Sequence, residues 1–520
     1  MGIYVNPENE MFVEALNSEI YVDKSLLLAE LNKSIRTDGK FLAVSRPRRF
    51  GKTMAESMMA AYYSKGCDSA ELFENLEIAR DLSFRKHLNK YNVLHLDINR
   101  FWSSYCREAL NKMRMLVFKE FCEEFPDVVF DEGLDVADCI IMAYKATKIP
   151  FVIIIDEYDV IFRDEKASCL ENDYLEFLNA LFKGSDVTSC IALAYITGIL
   201  PIIREKAQSK LNNFKEITFL NPGRFLKFTG FTSREVQSLC EKYGMDYNEC
   251  RSWYDGYEID GVELYAPRSV VESMKDGKYQ SYWSQTSTFK VIREVILLNF
   301  DGMRDDIEKM LASGRIRLNV TRFDNSPFRM EGKDDAFTYL CHLGYLSYDY
   351  ASKTCRIPNR EVKEEWVNAI EGNFNYDGIM NVIHGSENAL ESVWKMDGEA
   401  LAKALEKSHE LLTSSLSYSN EQSLQSAIRL AFFYAGTCYT IVLEYPAGKG
   451  YADIAFIPYK PNIPAMLVEL KVKGTADTAL DQIRDKRYFA GLDKFRGNTL
   501  LVGVSYDKKT KRHECRIEKV

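Results

Sequence analysis

The sequence predicts an α/β protein with two sheets, each flanked by helices, and a largely helical region between them. Three stretches support this prediction. FLAVSRPRRFGKT at 41–53 has the pattern of a buried strand, a basic turn and the start of a helix. PFVIIIDEYD at 150–159 has the pattern of a second buried strand, which ends in carboxylates. Near the C-terminus, the strand-like AMLVELKVKG precedes the helical TALDQIRDKRYFAGL.

Composition limits the class of protein. A chain of 520 residues is too long for one core and indicates two to four domains. The 46% hydrophobic and 28% charged residues are typical of soluble proteins, and the net charge of -9 argues against a protein basic along its whole length. Residues 471–520 are nevertheless basic, with 13 Lys/Arg against 7 Asp/Glu, which suits a polyanion or a solvated surface equally.

Cysteine usage and hydropathy favour a cytoplasmic protein. The 12 cysteines include no C-x-x-C pair and no zinc-like spacing, so we expect reduced thiols. The N-terminus lacks a signal-peptide pattern, and the longest apolar runs are shorter than the roughly 18 residues of a membrane span. No membrane association is expected.

The first chemical motif is the turn RPRRFGKT. A strand followed by Gly-Lys-Thr at a helix start is the arrangement that cradles phosphates: free N–H groups, a close backbone approach, a lysine for the β/γ-phosphates and a hydroxyl for Mg²⁺. Arg46 departs from the general pattern, which has a glycine at that position. The expected nucleotide contacts in this turn are Arg46, Arg49, Phe50, Gly51, Lys52 and Thr53, and Thr53 is also expected at the metal.

A second motif completes the nucleotide site. Asp156 follows five apolar strand residues and is expected to hold Mg²⁺ beside the Thr53 hydroxyl. Glu157 is the expected base that orients the attacking water. Asp97 also ends an apolar strand, where it could face a ligand or cap the next helix, and Asp23 could cap the helix that follows it.

The third motif lies near the C-terminus. Glu469 and Lys471 are two positions apart on a strand, so both side chains leave the same face. Asp453, sixteen positions earlier, begins the preceding strand. Two carboxylates that hold a divalent ion and a lysine that orients the nucleophile suit phosphodiester hydrolysis. The expected metal ligands are therefore Asp453 and Glu469.

These motifs resemble a bacterial family of AAA-like ATPases that usually carry a PD-(D/E)XK nuclease-type domain in the same chain. The segments that carry the resemblance are YVDKS at 21–25, RPRRFGKT, WYDGY at 253–257, YAPRSV at 265–270 and GKGYAD at 448–453. The resemblance implies that Thr197 senses the γ-phosphate. Arg204 lies shortly after Thr197 in the sequence. It also implies that Glu421 is the helical acid of the nuclease core, and that Gln482 and Tyr488 form its Q…Y pair.

The predicted fold has four parts. They are an AAA-like P-loop ATPase domain with a parallel sheet (1–240), a helical lid region (241–332), a winged-helix-like module with a helical connector (333–415) and a restriction-endonuclease-like PD-(D/E)XK domain (416–520). The winged-helix prediction is based on DDAFTYLCHLG, which precedes two alternating strands around 351–353. Without a basic recognition helix, we expect it to pack rather than bind DNA.

The expected function is an ATP- and Mg²⁺-dependent nuclease in which the ATPase gates cleavage, with DNA favoured over RNA as the partner. The alternative is an ATP-switched regulatory protein whose nuclease-like domain binds without cleaving. A small-molecule P-loop kinase is disfavoured by the Asp156-Glu157 pair and by the large additional domains. A homo-oligomer with an arginine supplied by a neighbouring subunit remains open.

Overall fold

The structure is a computed structural model of the 520-residue chain. It describes all residues except 1, 203–210, 229, 284–288, 413–420, 448–449, 461, 473, 487–491, 493, 508 and 511. The chain divides into two compact units. Unit 1 comprises 1–235, 258–271 and 319–346, and unit 2 comprises 236–257, 272–318 and 347–520.

Unit 1 is built on a five-stranded, fully parallel sheet in the order β2-β3-β4-β1-β5. Its strands are β1 (Phe41–Ser45), β2 (Asn92–Asp97), β3 (Phe151–Asp156), β4 (Ile191–Gly198) and β5 (Lys215–Ile217). β1, β3 and β4 are buried along their whole length, as expected for strands covered by helices on both faces. Apolar side chains from alternate strand positions fill two cores, one on each face of the sheet.

The helices of unit 1 follow the apolar periodicity of the sequence. They are Glu10–Leu16, Leu26–Asn32, Lys52–Tyr63, Ala70–Phe73, Phe84–His87, Ile98–Tyr105, Ala109–Glu124, Val136–Thr147, Val160–Arg163, Glu171–Lys183, Ser185–Cys190 and Lys333–His342. Two further helices, Ser233–Tyr243 and Pro267–Asp276, each include residues of both units. A small sheet consists of β6 (Phe231–Thr232), β7 (Tyr257–Ile259) and β8 (Val262–Tyr265) in the order β6-β8-β7.

Unit 2 contains a second five-stranded sheet in the order β12-β13-β14-β15-β16. Its strands are β12 (Tyr439–Ala447), β13 (Gly450–Pro458), β14 (Ala465–Lys471), β15 (Thr499–Asp507) and β16 (Arg512–Lys519). The pairing is antiparallel except between β14 and β15, which run parallel. A three-stranded sheet pairs β9 (Ile316–Arg317), β10 (Ser347–Asp349) and β11 (Thr354–Arg356) in the order β10-β11-β9.

The helices of unit 2 include two that cover opposite faces of the larger sheet. Ile428, from the helix Glu421–Ala431, packs in one core with Val468 and Leu470. Leu480, from the helix Ala476–Asp485, packs in the other core with Leu467. The remaining helices are Tyr247–Tyr254, Phe289–Leu297, Met303–Leu311, Arg360–Ile370, Asp377–Trp394 and Gly398–Leu412.

The structure confirms the predicted α/β class and the parallel sheet of the N-terminal part. The C-terminal part also forms a sheet, and the structure shows that this sheet is mixed. The helix and strand pair predicted around 334–362 forms at Lys333–His342, β10 and β11, while a winged-helix assignment stays a prediction. The helix Glu421–Ala431 is followed by a 3₁₀ turn, Phe433–Thr437. Within the described residues, no helix is both long and apolar enough to span a bilayer.

Candidate functional site

The loop after β1 has the backbone geometry that the Gly-Lys-Thr motif predicts. The backbone N–H of Arg46 donates to the carbonyl of Gly198 at 3.0 Å, which continues the pairing of β1 with β4. Gly51 then adopts φ +82°, a left-handed conformation that favours glycine, and the helix begins at Lys52. Lys52 and Thr53 are therefore the first residues of the helix Lys52–Tyr63, whose first N–H groups have no partner within the helix.

The side chains of this loop divide into inward and outward groups. The Lys52 ammonium donates to the carbonyls of Arg46 and Pro47, each at 3.2 Å, while Thr53 is exposed. Phe50 is buried and stacks edge-on against Phe219. Arg48 is also exposed and Arg49 is half-buried, so the loop presents Arg48, Arg49 and Thr53 to solvent, while Lys52 can be released toward a ligand.

Arg46 points into the protein, where its guanidinium donates to the carbonyls of Ser45 and Ile217 at 2.8 and 3.1 Å. Burial lowers its pKa to about 10. This side chain ties the loop to β5, so any contact of Arg46 with a nucleotide would come from its backbone. Arg49 lies in the same turn with φ +72°.

Carboxylates gather at the end of β3, as predicted. Burial, together with the neighbouring Glu56 carboxyl group, raises the pKa of Asp156 to about 9. Burial lowers the pKa of Lys52, and the charges of Glu157 and Asp156 oppose this effect. The predicted metal ligand and the predicted phosphate lysine thus lie within electrostatic reach of each other.

Glu157 is held by an arginine that the sequence analysis did not identify. Arg163 donates to the Glu157 carboxylate at 2.5 Å and forms an ion pair with Asp159 at 2.7 Å. Asp159 in turn accepts hydrogen bonds from the backbone N–H groups of Ile199 and Leu200 at 3.1 and 2.8 Å. This network fixes the segment after β4 relative to the expected catalytic base.

The sequence analysis also did not identify Glu56 as a residue of this site. It lies four residues after Lys52, so both side chains share one face of the helix. Its side chain is buried, and burial raises its pKa to about 7. His95 of β2 approaches it at 3.7 Å. A glutamate on the inward face of an otherwise apolar helix is the sequence signal that could have revealed this residue.

Thr197 lies near the C-terminal end of β4, the strand between β1 and β3. It pairs in register with Val44, and its hydroxyl is buried without a hydrogen-bond partner among the described residues. The strand order thus brings Thr197 between the phosphate loop and the carboxylates, where open α/β sheets bind ligands. Arg204 lies outside the described residues.

Two acids with alternative interpretations have local roles. Asp97 caps the helix Ile98–Tyr105 by accepting the backbone N–H of Arg100 at 3.0 Å. The cap prediction for Asp23 was wrong in detail, since the helix begins after Ser25. Asp23 instead accepts the N–H groups of Ser25 and Glu77, both at 2.7 Å, and joins two loops.

The C-terminal residues come together on the larger sheet of unit 2. β13 and β14 run antiparallel with Ile454 opposite Val468, so Asp453 lies opposite Glu469. One carboxylate oxygen of Asp453 accepts the backbone N–H of Leu470 at 2.7 Å. The two predicted metal ligands are therefore neighbours across adjacent strands.

Glu469 is the centre of this second site. Lys471 forms an ion pair with its Oε1 at 3.2 Å, and the Gln482 side-chain amide donates to the same oxygen. Burial, followed by the charge of Asp453, raises the pKa of Glu469 to about 7. Its Oε2 is buried and has no hydrogen-bond partner among the described residues. A buried, partnerless carboxylate oxygen next to a second carboxylate suits a cation.

Both sites fit Mg²⁺ by the chemistry of their donors, because carboxylate and hydroxyl oxygens are its usual protein ligands and Mg²⁺ often takes one or two carboxylates with water. No cluster of three or more His, Cys, Asp or Glu suited to a metal occurs in the described part of the chain. Glu421 begins a helix, but its side chain, Tyr488 and residues 448–449 lie outside what the structure describes.

Comparisons with known proteins match two parts of the chain to family models. Residues 12–207 match the family model of a predicted AAA-ATPase, and residues 419–515 match that of the PD-(D/E)XK nuclease superfamily. The chain therefore combines an AAA-ATPase-like domain with a C-terminal PD-(D/E)XK nuclease superfamily domain. The first matched stretch contains Lys52, Asp156 and Thr197, and the second contains Asp453 and Glu469.

The chain is 25% identical over 279 residues to an uncharacterized protein in the vnfD 5' region of Azotobacter chroococcum mcd 1. This match covers 52% of the chain and 51% of the relative, so the chain spans about half the length of that curated protein. Among solved structures it is similar to the Aeropyrum pernix ORC2 protein. The ADPNP–ADP complexes have a TM-score of 0.33 and the ADP form 0.28, both at 12% identity. These alignments cover 68% and 70% of the chain, and 96% and 92% of the ORC2 chains.

Proposed function

We propose that the protein binds and hydrolyses ATP with Mg²⁺ and that its C-terminal domain is a Mg²⁺-dependent nuclease acting on DNA. The observation that carries the proposal is that charged residues lie close together at each of two separate sites. Lys52, at the start of the helix after β1, and Asp156, at the end of β3, lie within electrostatic reach of each other, and Asp453 lies opposite Glu469 in the mixed sheet. A cytoplasmic location, and a homo-oligomer that supplies an arginine in trans, belong to the same proposal.

In the ATPase site, the Lys52 ammonium exchanges its two backbone carbonyl partners for β/γ-phosphate oxygens. The helix N-terminus supplies N–H groups to the same phosphates. Glu157 orients the attacking water while Arg163 holds its carboxylate in place. The Thr197 hydroxyl donates to the γ-phosphate or to that water. Mg²⁺ held by Thr53 and Asp156 would neutralise phosphate charge when bound.

In the nuclease site, Gln482 fixes the orientation of the Glu469 carboxylate, because its side-chain amide donates to Oε1. The Lys471 ammonium stabilises negative charge beside the scissile phosphate and holds the attacking water. Asp453 is oriented by the backbone N–H of Leu470. Mg²⁺ bound by Asp453 and Glu469 would lower the pKa of a bound water when present.

A second candidate function is supported by one observation. The net charge of -9 favours a domain that binds a partner over one that engages the polyanionic backbone of nucleic acid. Under this alternative the domain binds nucleic acid or a partner without cleaving, and ATP switches the interaction.

The experiment that separates the two functions is a cleavage assay on single- and double-stranded DNA and on RNA, with and without ATP and Mg²⁺. Wild-type protein should cut DNA, and Asp453→Asn and Lys471→Ala should lose cleavage while they retain ATP turnover. Lys52→Ala should weaken ATP binding by about 10- to 100-fold, since a charge-assisted contact is lost.

Asp477→Asn is the matched control, because this exposed acid lies in the first turn of the helix Ala476–Asp485 and pairs with Arg516 rather than with a residue of the site. It should cleave as wild type does. Intact nucleic acid in every reaction, together with normal ATP turnover, would overturn the nuclease proposal and leave the binding alternative.

A further inference from the structure

Unit 2 contains a cavity of about 650 Å³ that belongs to neither of the sites described above. Its walls come from the segment 248–256, the helix Arg360–Ile370, the helix Glu421–Ala431, the turn Phe433–Thr437 and the start of β12. Cavities of this volume are the size of those that enclose small-molecule ligands.

The cavity wall is strongly cationic. Its positively charged lining residues are Arg251, Arg356, Arg360, Lys363 and Arg429. Two carboxylates, Asp255 and Glu364, also reach the wall, and each is already paired with an arginine. Arg251 contacts Asp255 at 3.1 Å, and Arg360 contacts Glu364 at 3.4 Å.

Lys363 and Arg429 have no carboxylate partner among the described residues. The Lys363 ammonium donates to the Ser313 hydroxyl at 3.3 Å and lies 4.2 Å from the centre of the Phe433 ring. Burial and the charges of Arg429 and Arg360 lower the pKa of Lys363 to about 7. Burial and the charge of Arg356 lower the pKa of Arg429 to about 10.

Such an arrangement is unfavourable in the unliganded protein, because like charges are held together in a partly desolvated space. A dianion would reverse the sign of each of these interactions. Guanidinium groups and a lysine ammonium are the donors that recognise phosphate, the former in a bidentate fork and the latter as a point charge.

Aromatic and backbone groups give the wall a defined shape. The Arg360 guanidinium lies 3.8 Å from the centre of the Trp253 ring, which fixes its plane. It also donates to the carbonyl of Gly436 at 3.2 Å. Arg356 donates to the carbonyls of Pro358 and Gly256 at 3.2 and 3.3 Å. The sequence analysis assigned no chemical role to the WYDGY segment. In the structure this segment orients Arg360 and Arg356.

The cavity is separate from the carboxylate pair on the same sheet. Arg429 follows Ile428 on the helix that packs against Val468 and Leu470. Glu469 lies between those two strand residues, so its side chain leaves the opposite face, where Gln482 contacts it. The cations of the cavity therefore do not line the proposed cleavage site.

We propose that this cavity binds a small phosphorylated ligand through Arg429, Lys363 and Arg360. The site is independent of ATP hydrolysis and of nucleic-acid cleavage, so it stands whether or not the proposed function does. Its ligand class is a phosphate monoester of about the size of a mononucleotide.

The test uses the full chain with Lys52→Ala, so that the phosphate loop contributes little, and measures binding of inorganic phosphate and of AMP by calorimetry. Arg429→Gln and Lys363→Gln should each weaken binding by about 10- to 100-fold, because each removes a charge-assisted contact. Arg429→Lys should retain part of the affinity. Lys395→Gln removes an exposed cation of unit 2 and should bind as the parent does.

Both glutamine variants remove repulsion between cations, so we expect them to fold, and circular dichroism checks this. Absence of phosphate and AMP binding in the parent would overturn the proposal. Binding by Arg429→Gln and Lys363→Gln that is as tight as that of the parent would also overturn it. A short single-stranded oligonucleotide is the remaining arm. If it alone loses affinity in Arg429→Gln, the small-ligand site is refuted and the cations contact nucleic acid instead.

Discussion

Replacing Lys363 by methionine should stabilise the protein, although it removes a side chain that contacts Ser313 and Phe433. Methionine keeps the length and apolar stem of lysine, so the packing on Phe433 is largely retained. The charge that is lost faces Arg429 and Arg360, and both disfavour it. The variant therefore exchanges a repelled ammonium for a neutral group.

The size of the effect follows from the pKa of Lys363, which falls from 10.5 to about 7 on folding. Each tenfold change in acidity corresponds to about 1.4 kcal/mol, so the upper limit of the gain is about 5 kcal/mol. The hydrogen bond to Ser313 and relaxation of the structure around the ammonium reduce the cost of keeping the charge. We therefore expect the free energy of unfolding to rise by about 1–2 kcal/mol at neutral pH.

The pH dependence identifies the cause. Because the pKa of Lys363 is lower in the folded than in the unfolded chain, the unfolded chain binds more protons between these values. Above pH 10.5 the lysine is neutral in both states and does not destabilise the folded chain. As the pH falls from 10.5 toward about 7, the free energy of unfolding decreases, because the unfolded chain binds the proton more readily. The advantage of Lys363→Met should be constant below about pH 7 and should shrink as the pH rises.

The assay is urea unfolding followed by tryptophan fluorescence, since four of the five tryptophans lie in unit 2. Lys403→Met is the control, because Lys403 is exposed and forms an i,i+4 pair with Glu399. Its effect should stay within about 0.5 kcal/mol. A loss of stability in Lys363→Met at pH 7, or a gain that does not change with pH, would refute the reasoning.

Three further predictions concern other parts of the chain. Gly256→Ala should cost about 3 kcal/mol or more in urea unfolding, since φ is +111° and a Cβ would overlap a backbone carbonyl, whereas Gly261→Ala, with open space around it, should cost about 1 kcal/mol. Equal losses would show that the overlap is absent. Glu157→Gln should retain ATP binding but slow hydrolysis by about 100-fold in a phosphate-release assay, and unchanged turnover would exclude it as the base. Gln482→Ala should raise the Mg²⁺ concentration needed for cleavage more than it lowers the rate at saturation, because Gln482 only orients Glu469. A rate loss that excess Mg²⁺ cannot restore would contradict this role.

The sequence predicted the elements whose signal is local. Continuous apolar runs identified β1, β3 and β4, and a Gly-Lys-Thr at a helix start identified the loop between β1 and its helix. The spacing of Glu469 and Lys471 predicted a shared face, and the ion pair between them follows from it. In each case the neighbours that matter are a few residues apart in sequence.

Elements defined by distant contacts were not predicted. β5 has three residues, Lys215–Ile217, two of them exposed, and such a short edge strand has no periodicity to detect. The cationic cavity brings Arg251, Lys363 and Arg429 to one wall from separate helices. The positive charge of this cavity could not be predicted from composition, because the net charge of the whole chain is -9. The structural role of Arg46 likewise depends on the carbonyl of Ile217, more than a hundred positions away.

The three sites share one physical property, which is that like charges are buried together. Burial and Glu56 raise the pKa of Asp156, burial and Asp453 raise the pKa of Glu469, and burial with Arg429 and Arg360 lowers the pKa of Lys363. Well-packed apolar side chains at these positions would give a more stable fold. The sign of each cluster therefore indicates what compensates it: a cation at the two carboxylate clusters and an anion at the basic cavity. Stabilisation by Mg²⁺ should consequently depend on Asp156 and Glu469, and stabilisation by phosphate should depend on Lys363 and Arg429.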